Sequence, residues 1–377
     1  MPTLVKSTRE SQHGTWIEIR CDRLLANLKT LTQHAGPYSQ VMAVVKANAY
    51  GHGLVEIAKY LSAEVAYLGV ASVREALTLK EERIETPIFL FGRLLGSEIP
   101  AVLADGITLS VSSFDESRTI SEVSESFGRR TPVHIKVDTG MGRLGIPFGR
   151  AFSEIEKMAT LRGIALEGIY THFPTAERED GFTHRQLQDF GLLLQALEKK
   201  GITFRYRHAA NSAGSLKVRT PILNLVRPGL MLYGLYPDIS LRDLASVSPI
   251  LSLKSRIISL KRLQPGESVG YGRDFVTDRP TTIAILPVGY SHGYPFGLSN
   301  RSFVLFKGRR HPIAGRVSMD YLAINLGDTA AGMGDEVTLL GEDEGEAIRA
   351  EDLAAWAQTI PYEIVTRLAP NLPRIYH

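Results

Sequence analysis

"AVVKANAYGHG", Ala43 to Gly53, halts an apolar strand-like run at a lysine. Val41 to Val45 read as a buried strand; Lys46 follows at once, then small residues, Tyr50 and two glycines. An amine at the end of such a strand either snorkels along apolar surface or is placed there to react. Read alone, the first use is the commoner one. The neighbouring segments have to decide.

Seven further short apolar runs follow: "VAYLGV" (65–70), "PIFLF" (87–91), "ITLSV" (107–111), "VHIKV" (133–137), "IALEGIY" (164–170), "FRYRHAA" (204–210) and "LNLVRPG" from Leu223. Between them, "LVEIAKYLS", "VREALTLKEE", "SEIPAVLADG", "AFSEIEKMATL" and "THRQLQDFGLLLQALEKKG" space apolar residues at three and four, as helices do. Alternating strands and helices build a parallel sheet with right-handed crossovers. Eight units predict an N-terminal (β/α)8 TIM barrel over residues 1–245.

Beyond about Asp238 the texture changes. "ILSLKSRIISLKRL", "ESVGYG", "TTIAILPVGY", "SFVLFKG", "HPIAG", "YLAINLG" and "DEVTLLG" are β-type runs separated by turn residues. Only "AEDLAAWAQTI" (350–360) reads as a helix there. A C-terminal mostly-β domain over 246–377 is expected, with "TWIEIR" (15–20) an early strand able to pair with it. The short "GRRH" (308–311) reads as a solvated turn.

The bulk numbers agree with this plan. A chain of 377 residues is too long for one small core. Hydrophobic content of 44% and charged content of 22% describe a globular protein. A net charge of +3, with no basic cluster interleaved with aromatics, argues against a nucleic-acid partner. The single cysteine, Cys21, excludes an intrachain disulfide and a cysteine-rich metal centre, and suits a reducing compartment. No metal is indicated. Residues 1–14 are polar and lack the apolar core of a secretory signal. No run of about 20 apolar residues occurs, so no spanning helix and no membrane partner are expected. A cytoplasmic protein fits.

A barrel works at the C-terminal ends of its strands. Here those ends lead into Lys46, "KVDTGMGRLG", "THF", "HAANSAG" and "RPGLMLYG", which gather Lys136, Asp138, Arg143, His172, Asn211, Ser212 and Arg227. Loops seven and eight are the usual phosphate site of such barrels. "NSAG" offers a hydroxyl and a helix N-terminus, and the glycine of "RPGL" permits close backbone approach. Taken alone, Asn211 and Ser212 are more commonly only a helix cap; donors on both loops favour the phosphate reading. A phosphate anchor opposite a lone lysine suggests pyridoxal phosphate, which condenses with an amine.

These segments, with "SVGYG", "SMD" and "PYE", resemble in order the alanine racemases, pyridoxal-phosphate enzymes of fold type III with a barrel and a C-terminal β domain. The resemblance runs from "TWIEIR" to "VTRLAPNLPRIY", nearly the whole chain. It implies interconversion of L-alanine and D-alanine by two opposed bases, supplying D-alanine for peptidoglycan, in a homodimer with shared active sites. Lys46 matches the cofactor-binding lysine and the base on the D-side. Tyr271 matches the second base, which serves the neighbouring subunit. A free tyrosine titrates near ~10 and needs help near neutrality; His172 and Arg227 match the relay that provides it. An arginine against the cofactor's ring nitrogen leaves that nitrogen unprotonated, which suits racemisation over transamination. Related decarboxylases of basic amino acids carry an acidic residue there.

The resemblance also places Tyr50, Ser212, Gly229, Leu230 and Tyr362 at the phosphate, with Asn211 in the same motif and Tyr362 also at the substrate entrance. Arg143 and the backbone N–H of Met319 match the groups that orient the substrate carboxylate. Lys136 matches a lysine that is often carbamylated in relatives and positions Arg143. Tyr290, Arg316, Ile360 and Glu177 match the entrance channel, Glu177 standing where relatives often carry aspartate. One segment departs: the family's "GYADGYPR" is here "GYSHGYPFGLSN", with His292 for the aspartate and Phe296 for the arginine, and "SMDY" replaces the usual "MDQ". Two alternatives stay open. One is a racemase of broader range, or one for serine or a basic amino acid. The other is a non-catalytic pyridoxal-phosphate carrier, although such carriers lack the second domain and its tyrosine.

Overall fold

The computed structural model describes residues 13–36 and 39–377; residues 1–12 of the polar N-terminal stretch lie outside the described residues. The chain forms two compact units. The larger comprises Leu25–Ala49 and Leu54–Val247. Eight of its strands form a barrel: Gln40–Val44, Tyr67–Val70, Ile88–Leu90, Thr108–Val111, Thr131–Asp138, Ile164–Tyr170, Tyr206–His208 and Leu225–Val226. Each pairs in parallel with its successor, and the last pairs with the first, so the barrel closes. Strands covered on both faces bury nearly every side chain, which is why they read as short continuous apolar runs.

One barrel helix, Phe114–Ser126, was invisible to apolar periodicity because its buried face is Ser117, Ile120, Ser121 and Ser124. The serines are bonded instead: Ser124 Oγ lies 2.7 Å from Thr131 Oγ1, and Ser121 Oγ accepts the Gly163 N–H at 2.9 Å. Gly163 approaches so closely that a Cβ there would sit 2.1 Å from the Ser121 carbonyl oxygen.

The first strand ends in an unusual turn. Over Lys46–Tyr50 the backbone makes one left-handed helical turn, with φ of 54°, 54°, 52° and 54° at Ala47, Asn48, Ala49 and Tyr50. Left-handed backbone costs L-residues roughly 1–2 kcal/mol each, and persists where surrounding bonds over-determine it. Within the barrel unit, Ala49 N–H donates to the Val45 carbonyl at 2.8 Å and Leu54 N–H to Asn48 Oδ1 at 2.8 Å. Asn48 N–H donates to Glu75 Oε1 at 3.3 Å. Glu75 is itself fixed by the capping box that opens helix Val73–Glu81.

The second unit comprises the described residues up to Leu24, Tyr50–Gly53 and Ser248–His377. The chain therefore does not divide at a single cut near 245. The early strand Thr15–Ile19 pairs antiparallel with Leu251–Arg256 and parallel with Arg374–Tyr376, where Trp16, Ile17 and Ile19 are buried. The sheet continues through Glu336–Asp343 and Phe303–Phe306 to Arg309–Pro312. "GRRH" is thus mostly strand; only Lys307 and Gly308, both at positive φ, make the turn. Helix Ala350–Ala357 is followed by a second one, Pro361–Thr366, whose start is marked by proline at its first position.

Candidate active site

The barrel's C-terminal rim brings five cationic or basic groups within mutual electrostatic range. Burial first, then Arg143, pushes the Lys46 amine below its ordinary range; Glu75 opposes the shift and Arg227 adds to it more weakly. Lys136, buried on strand Thr131–Asp138, is pushed down to about 8 by burial and by Arg143 and Arg227. Its Nζ lies 5.6 Å from the centroid of the Tyr170 ring. Two lysines that give up their protons more easily than ordinary ones thus share one rim.

Arg227 follows the last strand and is 3% exposed. Burial lowers it to about 10, so it remains a cation at neutral pH. Its Nη2 donates to the carbonyls of Thr171 and Ala209, each at 3.0 Å, and to His172 Nδ1 at 3.1 Å. Its Nη1 donates to His208 Nδ1 at 2.8 Å. Burial and the surrounding cations, Arg227 first, lower His172 to about 3, so its ring is neutral.

Asp138 organises the loop that carries Arg143. Its Oδ1 accepts the N–H groups of Gly140, Met141 and Gly142 at 2.9, 2.8 and 3.1 Å. Gly145, at φ +126°, crosses back so closely that a Cβ would lie 2.8 Å from Asp138 N. Arg143 itself is exposed at this rim.

The loops after strands seven and eight are joined by one hydroxyl. Ser212 Oγ, 4% exposed, accepts the Gly229 N–H at 3.0 Å and the Met231 N–H at 3.4 Å. With both lone pairs engaged, its own proton is directed elsewhere and is available to an anion. Leu230 begins the short turn between those two donors. Asn211 is the N-cap of helix Ser212–Lys217: its Oδ1 accepts from Gly214 N–H at 2.9 Å, and its Nδ2 donates to the Phe173 carbonyl at 3.2 Å. Glu177, half-buried, meets Lys217 through its main-chain carbonyl at 2.7 Å.

The second unit carries the other residues singled out in the sequence. Tyr271 is 72% exposed on the turn Tyr271–Arg273, shaped by Gly270, Gly272 and Arg273 at φ 76°, 73° and 54°. That turn is clamped by Arg316, which donates to Asp274 at 2.5 and 3.4 Å, and by Asn300 Nδ2 donating to the Asp274 carbonyl at 3.1 Å. Tyr290, Phe296, Met319 and Ile360 are exposed apolar side chains of the same unit. The departing segment folds onto "SMDY": Tyr290 and Ser291 N–H donate to the Ser318 and Met319 carbonyls, each at 3.0 Å, and His292 Nδ1 accepts the Gly289 N–H at 3.2 Å. Tyr50 lies 6.2 Å, ring to ring, from Tyr362, and burial raises its phenol above the usual tyrosine range.

Two site residues escaped sequence reading: His208, beside Arg227, and His134, whose Nδ1 lies 2.8 Å from His208 Nε2. The signal was present. His134 sits two residues before Lys136 on one strand, hence on the same inward face.

Known proteins match the chain at both levels. Residues 19–237 match the family model described as alanine racemase, N-terminal domain, and residues 250–376 the one described as alanine racemase, C-terminal domain. The alanine racemase of Desulforamulus reducens is 40% identical over 366 residues, covering 96% of this chain and 98% of that protein. A structure of Clostridium difficile alanine racemase superposes with a TM-score of 0.92 at 34% identity, over 97% of this chain and 96% of the other. The alanine racemase of Bacillus anthracis, solved with bound L-Ala-P, gives a TM-score of 0.90 at 31% identity, over 97% and 95%.

Proposed function

The chain belongs to the alanine racemase family and is a racemase, and from that premise we propose that it interconverts L-alanine and D-alanine with pyridoxal phosphate at the barrel mouth. The observation that carries this reading is the desolvated Lys46 amine on the same rim as the buried Arg227–His172 pair. The donor set fits the cofactor: an amine at Lys46, a directed hydroxyl proton at Ser212, and a donor-only cation at Arg227. When bound, pyridoxal phosphate supplies an electron-accepting ring that makes the Cα–H of an attached amino acid acidic.

The rest of the work falls to the chain's own residues. Ser212, Gly229 and Leu230 would hold the phosphate, with Asn211 shaping the loop as its cap. Tyr50 and Tyr362 are proposed as further phosphate ligands on the resemblance. Arg227 would present N–H donors to the ring nitrogen; an arginine does not give up a proton at neutral pH, which favours racemisation over transamination. Lys46, deprotonated more easily than an ordinary lysine, would take or return the Cα proton on the D-side. Tyr271 of the partner subunit would serve the opposite side, aided by His172 and Arg227. Arg143, with Met319 N–H and with Lys136 as its support, would orient the substrate carboxylate. Tyr290, Arg316, Ile360 and Glu177 would line the way in.

A homodimer is part of the proposal. The exposure of Tyr271, together with Tyr290, Phe296, Met319 and Ile360, supports a surface that another copy covers. Among the described residues no helix is long and apolar enough to cross a membrane. We place the enzyme in the cytoplasm, supplying D-alanine for peptidoglycan. Phe296, exposed where the family carries arginine, favours a second reading of broader substrate range.

The test is incubation of cofactor-loaded protein with L-alanine in deuterated water. D-alanine and Cα-deuterium are expected in both enantiomers; loaded protein that does neither refutes the proposal. A panel including serine and basic amino acids, compared by kcat/KM, decides between the two substrate ranges.

A further inference from the structure

Behind Arg227 a file of buried side chains runs down the barrel axis to a carboxylate. We propose that His134 and Glu167 are positioning residues that, through His208, hold the Arg227 guanidinium in its working orientation; this rests on the racemase reading above.

The argument starts from donor counting. Arginine has only donors, so His208 Nδ1, 2.8 Å from Arg227 Nη1, must offer a lone pair. His208 therefore carries its proton on Nε2 and gives it to His134 Nδ1 at 2.8 Å. His134, accepting there, carries its own proton on Nε2. That nitrogen makes no hydrogen bond and faces Glu167 Oε2 at 3.6 Å. The same carboxylate oxygen accepts the Tyr67 hydroxyl at 2.6 Å. The donor-only Arg227 at one end leaves each hydrogen-bonded link a single allowed polarity, and the Glu167 carboxylate, facing His134 Nε2 at 3.6 Å, favours the same one electrostatically. Were His134 to carry its proton on Nδ1, His208 would have to turn a donor toward Arg227, setting donor against donor.

The backbone is built around this file. Val133 pairs with Leu166 but His134 with Gly168, so Glu167 is the extra residue of a β-bulge. Bulges re-aim side chains beside functional sites. At Gly168 a Cβ would lie 2.5 Å from His134 Cγ, so glycine is what seats the imidazole. Barrel interiors are usually layered with branched aliphatic residues; here Tyr67, Phe89 and Tyr206 surround a fully buried histidine. Burial keeps both rings uncharged, lowering His134 and, much further, His208. A layer needed only to fill space would carry neither ring.

The test compares wild type, His134→Phe and Glu167→Gln, each labelled with 15N-histidine. Ring-nitrogen shifts in the cofactor-free protein read the tautomers; kcat, KM and the absorbance of the bound cofactor are then measured. Wild-type His208 is expected as one Nε2–H tautomer. His134→Phe keeps an aromatic ring but removes the acceptor, and should mix the His208 tautomers, shift the cofactor absorbance and cost about tenfold in kcat, with KM within about twofold. Glu167→Gln offers a donor as readily as an acceptor, so it should move the same readouts in the same direction by a smaller factor. If His134→Phe does not fold, Glu167→Gln decides alone. A wild-type Nδ1–H tautomer at His208, or folded variants with unchanged tautomers and kcat, overturns the proposal. A wild type that fails to racemise alanine would instead sink the reading of the site, while the nitrogen shifts still decide the relay.

Discussion

Arg227 Nη2 donates to His172 Nδ1 at 3.1 Å, so His172 holds its proton on Nε2. The same nitrogen donates to the carbonyls of Thr171 and Ala209, tying the ends of strands six and seven to the residue after strand eight. One side chain thus sets the protonation state of a neighbour and closes part of the barrel rim.

Arg227→Lys should fail on both counts. An ammonium cannot reproduce the fork, and each buried acceptor left without a donor costs roughly 1–3 kcal/mol. The expected result is a lower denaturant midpoint together with reduced kcat. A lysine variant of wild-type stability would show that the fork is not what holds these strand ends.

If Tyr271 acts in the partner's site, two dead proteins should make a live one. Lys46→Ala and Tyr271→Ala are each expected to be inactive as homodimers. Mixing them under exchange should restore about a quarter of wild-type activity, since half the dimers carry one intact site of two. No recovery, with exchange verified by mass, would count against a shared site.

Lys136 gives a pH signature. Its folded-state value of about 8 lies below the ordinary lysine value of 10.5, so the unfolded chain binds more protons between them. Stability should therefore rise with pH across that window, and be lost as pH falls through about 8. Lys136→Met should be more stable than wild type at neutral pH, with a flatter curve from 8 to 10. A lysine carrying a carbamate would show no such slope, so the wild-type curve also reports that modification.

The left-handed turn inverts a familiar rule. Glycine in a right-handed helix is destabilising, yet at Ala47, exposed and at φ 54°, it should be favourable. Relief of about 1–2 kcal/mol of strain outweighs about 0.5–1 kcal/mol of added chain entropy. Ala47→Gly is expected to raise the unfolding free energy by roughly the difference. A loss of stability measured by urea unfolding would contradict the strain.

Each of the eight barrel strands lies on one of the apolar runs, because strands covered on both faces must be apolar throughout. That Lys46, Lys136, His172, Ser212 and Arg227 stand at or just beyond the strand ends was legible, because each lies where one of those apolar runs closes. Helix Phe114–Ser126 was not, since hydrogen-bonded serines replace its apolar stripe. Helix Pro361–Thr366 was too short for a periodic signal.

By itself, then, the sequence determined which elements form, their order, and which residue types stand at the strand ends, since these follow from local pattern. Tertiary structure decided the left-handed turn after the first strand, the bulge at Glu167 and the state of each titratable group. Those depend on burial and on partners far apart in the chain, such as His134 and His208, 74 residues apart, or Tyr67 and Glu167, 100 apart. A histidine's tautomer is set by what lies across the barrel, and no local pattern carries that information.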